Sequence, residues 1–144
     1  MRFVVDTNIV VAGLLTGRSD SPVARVLDAM LSAQFRYVIS TALLAEYLEV
    51  LGRPALRKLH GLTHAEIDTL VTTLAEHAIL IAPGSGPPAP DPGDQHVWDL
   101  LAADATLVLV TGDKRLLNAL PRHATVITAQ TLVARWDGEA AKQP

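Results

Sequence analysis

Five short apolar runs recur along this chain, and none alternates polar with apolar residues: Phe3-Val4-Val5, Tyr37-Val38-Ile39, Ala78 to Ala82, Leu107 to Val110 and Thr125-Val126-Ile127. A strand covered on both faces has that composition, whereas a strand with one wet face alternates. Helical stretches with apolar residues at three- and four-residue spacing separate the runs. The alternation predicts a three-layer α/β/α sandwich around a mainly parallel five-stranded sheet. With 144 residues, 49% of them hydrophobic, the chain can bury one sizeable core. Residues 1–136 are expected to form that single domain, and 137–144 a frayed polar tail.

Local signals place the helices. Gly17 ends a short helix over Ile9 to Leu15. Ser21 followed by Pro22 is an N-cap with proline at the first helical position, starting a helix that buries Val23, Val26, Leu27, Met30 and Leu31. Ser40-Thr41 starts another, with Leu43, Leu44, Tyr47, Leu48 and Leu51 on one stripe. A short helix runs from about Ala55 to His60, and Thr63 with Glu66 forms a capping box for the next. Asp94 opens a helix with Val97, Leu100 and Leu101 inward. Leu116, Leu117 and Leu120 mark one after Asp113, and the last spans Ala129 to Trp136, ended by Gly138. Pro83 to Gly93 is the one low-complexity stretch. The residues beyond it hold too few strands for a second core, so a surface loop bordering the site is expected in preference to an interdomain linker.

The acids carry the chemistry. Asp6, Glu46, Asp94 and Asp113 each follow a strand, or a loop leading from one, near a helix start. Each alone reads equally well as a helix cap or a dipole partner. In open α/β sheets, however, sites form at the carboxyl ends of strands. Four anions at one edge repel each other unless a cation sits among them. Hard oxygen ligands and the absence of cysteine point to Mg²⁺ or Mn²⁺ and exclude thiol catalysis and disulfides. Paired divalent ions about 4 Å apart would clamp both oxygens of a phosphodiester displacement.

These pieces, Val4-Val5-Asp6-Thr7-Asn8, Ser40 to Glu46, Asp91-Pro92-Gly93-Asp94 and Val110-Thr111-Gly112-Asp113-Lys114, together resemble a PIN-domain protein. The nearest likeness is to the VapC-like ribonuclease toxins of toxin–antitoxin pairs, over about residues 2 to 135. The resemblance implies a metal-dependent endoribonuclease with Asp6, Glu46, Asp94 and Asp113 as the acidic quartet and metal ligands. It implies Asn8 and Thr111 as polar accessory residues, and a metal-activated water leaving a 5′-phosphate and a 3′-hydroxyl. It also implies an RNA substrate, a cognate antitoxin plugging the acidic pocket and a homodimer. Many relatives carry two adjacent acids where this chain has Asp94-Gln95; Asp91 and Asp99 are the alternative helpers. A non-catalytic PIN-like adaptor for RNA or protein is the competing reading.

Other features are set aside or ranked lower. A net charge of −3 rules out a broadly basic nucleic-acid binder, so phosphate contacts fall to local cations, with Lys114 and Arg115 foremost. His60 and His64 have zinc-like spacing, but Gly61 interrupts it. His96 reads by default as an exposed helix residue, with a role as a proton carrier or RNA contact as the alternative. Tyr47, Trp98 and Trp136 read as core or interface, and Glu49 as solvated. An aspartyl-phosphate phosphatase wants an acid two residues after its nucleophile, where Asn8 stands. No apolar run reaches membrane-spanning length and the first strand starts at Arg2, so neither a membrane segment nor a leader is expected, and the cytoplasm is the expected location.

Overall fold

The computed structural model describes residues 1–119 and 124–142. Among these residues the strands are β1 (Phe3–Val5), β2 (Val38–Ile39), β3 (Ile79–Leu80), β4 (Val108–Val110) and β5 (Thr125–Ile127). All pairings are parallel. β1, β4 and β5 make one continuous ladder, and β2 and β3 another. A parallel bridge, Phe3 to Tyr37, joins the two. The expected single five-stranded sheet is therefore divided, among the described residues, into a three-stranded and a two-stranded sheet that meet at a seam. The seam is short because β2 and β3 pair over only two residues each.

Among the described residues, the helices around the strands are α1 (Thr7–Leu15), α2 (Pro22–Leu31), α3 (Thr41–Leu51), α4 (Pro54–His60), α5 (His64–His77), α6 (Gln95–Ala102), α7 (Lys114–Ala119) and α8 (Ala129–Lys142). Their starts follow the local chemistry. Ser21 accepts a bond from Ala24 N, Ser40 one from Leu43 N, and Thr63 with Glu66 forms the full capping box. β1 and β4 are wholly buried, as is the aliphatic set around them, including Val26, Met30, Leu43, Leu74 and Leu100. Tyr37 and Tyr47 are buried too, donating to the carbonyls of Leu74 and Val5. At the crossing of α1 and α2 only a glycine fits: a Cβ on Gly13 would lie 2.6 Å from the Val23 carbonyl oxygen.

Three expectations change. The C-terminal stretch is helical through Lys142 rather than frayed beyond Trp136. Gly138 sits in open space and does not break the helix, and Arg25 of α2 holds Asp137 with two bonds of 2.8 and 3.1 Å. Leu48 is 42% exposed, although it belongs to the apolar stripe of α3. Leu120 and the side chain of Leu117 lie outside the described residues.

The proline-rich stretch is a surface strap, as expected, and it is clamped to α6. Gly84 N donates to Asp99 O, and Gly86 N to the Asp99 carboxylate at 2.9 Å. Gln95 accepts from Ala89 N at 2.8 Å while its amide donates to Pro87 O and Asp99. Gly86 must be glycine, because a Cβ there would sit 2.7 Å from the Trp98 carbonyl oxygen.

Candidate active site

The register of the central ladder builds the site. Val5 pairs with Val110, so the residues just beyond the two strands, Asp6 and Thr111, emerge side by side. Asp6 N donates to Val110 O at 2.9 Å, and Thr111 Oγ1 donates to Asp6 Oδ2 at 2.8 Å. Asp6 Oδ1 accepts from Thr7 N at 2.9 Å. Asp6 is thus the cap of α1, and it also lines the cavity at the strand ends. Asn8 ties the corner together, donating from Nδ2 to Asp6 and to Thr111 at 3.3 Å each and accepting from Gly112 N at 3.1 Å. Asp113 N in turn donates to Thr111 Oγ1. Asp6 is only 7% exposed. Burial pushes its carboxyl above the usual range against the pull of Thr111 and Thr7, and the charges of Glu46 and Asp94 push it further.

Glu46 arrives from the second turn of α3. Thr7 Oγ1 donates to its Oε1, and His96 Nε2 lies 2.6 Å from its Oε2. The bond to His96 holds the Glu46 carboxyl below its ordinary value, and the same bond raises His96. His96 is half-buried, and among the described residues its buried Nδ1 has no hydrogen-bond partner. The default reading of His96 as an exposed helix position is therefore wrong: α6 turns it toward Glu46.

Asp94 ends the 3-10 turn Pro92–Asp94 at the start of α6, where its side chain makes no capping bond. Burial first, then the neighbouring charges of Asp91, Asp113 and Glu46, raise its carboxyl. Asp113 is held below its usual range by Arg115, whose Nε and Nη2 each lie 3.3 Å from it. Arg115 thus folds back onto an acid of the site. Lys114 is exposed at the start of α7.

All four acids line one cavity of about 620 Å³, together with Thr7, Asn8, Asp91 and Arg53 and an apolar stretch from α1 and α3. Asp91 is the turn's cap, accepting from Gly93 N, and reaches the cavity wall. Asp99 does not line the cavity; it pins the strap. His60 uses both ring nitrogens locally, on Leu51 O and Leu62 N, which leaves no zinc pair with His64. Thr7 is the site residue the sequence gives no reason to single out.

The donor set has the chemistry of a hard divalent cation site: five carboxylates around one opening, one of them buried at raised pKa. Among the described residues, however, no three His, Asp or Glu side chains are grouped so as to hold an ion as they stand. Thr7 and His96 occupy Glu46, and Arg115 occupies Asp113. A Mg²⁺ site needs no protein cage, since one or two carboxylates, waters and substrate phosphate oxygens commonly suffice.

A sequence profile of the PIN domain matches residues 2–115. The chain belongs to the PIN-domain family. PIN domains are generally nucleases. A chain of VapBC2 from Rickettsia felis, crystallised bound to a DNA fragment from their promoter, has the same fold, with a TM-score of 0.60 at 12% identity, covering 89% of this chain and 98% of that one. The RRP44 PIN domain of T. brucei aligns at a TM-score of 0.49 and 14% identity, over 96% of this chain and 82% of that one. No curated protein sequence matches the chain. Among the described residues, no helix of this PIN domain is long and apolar enough to cross a membrane.

Proposed function

We propose that this PIN domain is a divalent-metal-dependent endoribonuclease and the toxin of a toxin–antitoxin pair. The observation that carries the reading is the single cavity lined by Asp6, Glu46, Asp94 and Asp113 at the carboxyl edge of the sheet. The fold shared with a VapBC2 chain supports the toxin assignment. On this reading an antitoxin protein covers the acidic cavity, the toxin is a homodimer, and both act in the cytoplasm.

Asp6, Asp94, Asp113 and Glu46 would hold Mg²⁺ or Mn²⁺. Such an ion offsets the charge of the scissile phosphate and makes water acidic enough to lose a proton near neutral pH. Thr111, Asn8 and the Thr7 N–H fix the Asp6 carboxylate in one orientation. His96 holds a proton at Nε2 against Glu46.

One observation favours a second reading, a non-catalytic PIN adaptor: two of the four acids, Glu46 and Asp113, are already engaged by Thr7, His96 and Arg115. Expression in a bacterial host separates the two. The toxin reading expects growth arrest with cleaved RNA, relieved by Asp94→Asn. RNA that co-purifies intact, with normal growth, would favour the adaptor.

A further inference from the structure

The cavity is larger and less uniform than the acids alone require. Its acidic end passes into an apolar shelf made by Val11, Ala12 and Leu15 of α1 and Val50 of α3. Arg53, just beyond α3, is the one cationic residue on the wall among the described residues. Its placement is fixed from behind: Glu49, one turn earlier, takes Nε at 3.1 Å and Nη2 at 2.9 Å. The guanidinium is more than half exposed. Glu46 and Arg53 are close enough to feel each other's charge. A pocket of about 300–1,000 Å³ takes a drug-sized ligand, so about 620 Å³ has room for a nucleotide as well as for the hydrated phosphate at the acids.

We infer that Arg53 and the Val11–Ala12–Leu15–Val50 shelf form the subsite for the RNA nucleotide flanking the scissile phosphate, with Arg53 gripping its phosphate and the shelf carrying its base. This rests on the ribonuclease reading and names its substrate contact. The chemistry fits both halves. An apolar shelf receives the face of any base without selecting its edge, and a guanidinium fork is suited to phosphate oxygens. Holding the fork with Glu49 beforehand lowers the ordering cost of substrate binding. An otherwise acidic opening would repel RNA, and a fixed cation on its rim gives the backbone one attractive approach.

The test is cleavage of a short defined RNA in Mn²⁺ by wild type, Arg53→Ala and Arg53→Lys, at several salt concentrations. Mn²⁺ affinity is measured alongside by calorimetry. The expected result for Arg53→Ala is a KM raised roughly tenfold, kcat within a few-fold, and a salt slope of log(kcat/KM) shallower by about 1. Mn²⁺ affinity stays unchanged, and Arg53→Lys recovers the salt slope. A substrate lacking the base beside the cleaved bond raises KM for wild type and adds less for a Val50→Asp variant. If wild type cleaves but Arg53→Ala keeps its KM and salt slope, the subsite is wrong and the nuclease reading stands. If wild type cleaves no RNA with Mn²⁺ or Mg²⁺, both fall.

Discussion

His96 Nε2 lies 2.6 Å from Glu46 Oε2, a bond that joins the start of α6 to the second turn of α3 across 50 residues of sequence. The pair shifts both groups toward their charged forms: His96 up, Glu46 down. Its contribution to stability is present only where both are charged. The His96 part is complete below its ordinary 6.5 and is lost as pH rises through the higher folded value. The Glu46 part is complete above its ordinary 4.5 and is lost as pH falls through the lower folded value. In metal-free protein, His96→Gln should therefore lower Tm most between about pH 4.5 and 6.5. The pair is partly exposed, so the loss is about 1 kcal/mol, a few degrees for a domain of this size. Thermal melts across pH 4–9 check it; a loss that does not vary with pH contradicts the charged pair.

Asp6 is pushed the other way. Its raised carboxyl favours the neutral form in the fold, so the contribution is favourable below the ordinary 3.8 and is lost as pH rises through the raised value. At neutral pH the buried charge costs stability. Asp6→Asn, which keeps a side chain able to cap Thr7 N, should raise Tm in chelator. It should also abolish the Tm gain that Mn²⁺ gives the wild type. Melts with chelator and with Mn²⁺ measure both.

Gln95 directly follows Asp94 at the start of α6, and its amide does what a carboxylate could not. It donates to Pro87 O and Asp99 while accepting from Ala89 N. Gln95→Glu removes both donated bonds and sets like charges together, at a cost of roughly 1–3 kcal/mol. The strap over residues 83–93 should become more sensitive to limited proteolysis, with weaker Mn²⁺ binding because the strap delivers Asp91 and Asp94. Unchanged proteolysis would show that the clamp is dispensable.

The crossing of α1 and α2 gives a purely steric prediction. Gly13→Ala places a methyl group 2.6 Å from Val23 O and 2.9 Å from Leu27 Cβ, so one helix must move. Overpacking of this kind costs about 1–3 kcal/mol, measurable by urea unfolding. No loss would mean that the helices sit farther apart.

Whatever is written within a few residues was legible in the sequence. Ser21-Pro22 and the Thr63–Glu66 box read correctly because caps are local bonds. The periodicity of α3 put Glu46 on the flank of its apolar stripe, where it reaches the cavity. Asp6 and Asp113 were readable as strand ends. His96 was not, because its partner belongs to another helix and nothing in residues 94–100 marks that side as covered. The bonds from Arg115 back to Asp113 were not legible either, since no local pattern shows a guanidinium folding back two residues. The end of α8 was missed for a similar reason. Gly138 is a weak stop, costing about 1 kcal/mol in a helix, and Arg25 pairs with Asp137 from a distant helix.

Single-turnover cleavage of a defined RNA by purified protein, with 5 ′- and 3′-ends of the products mapped, tests the central claim most directly. The expected result is cleavage in Mg²⁺ or Mn²⁺ leaving a 5′-phosphate and a 3′-hydroxyl, abolished by chelator and lost in Asp6→Asn and Asp94→Asn although both variants stay folded. Cleavage that survives the chelator or either substitution would contradict it, as would RNA bound by the wild type and left intact with every divalent ion tried.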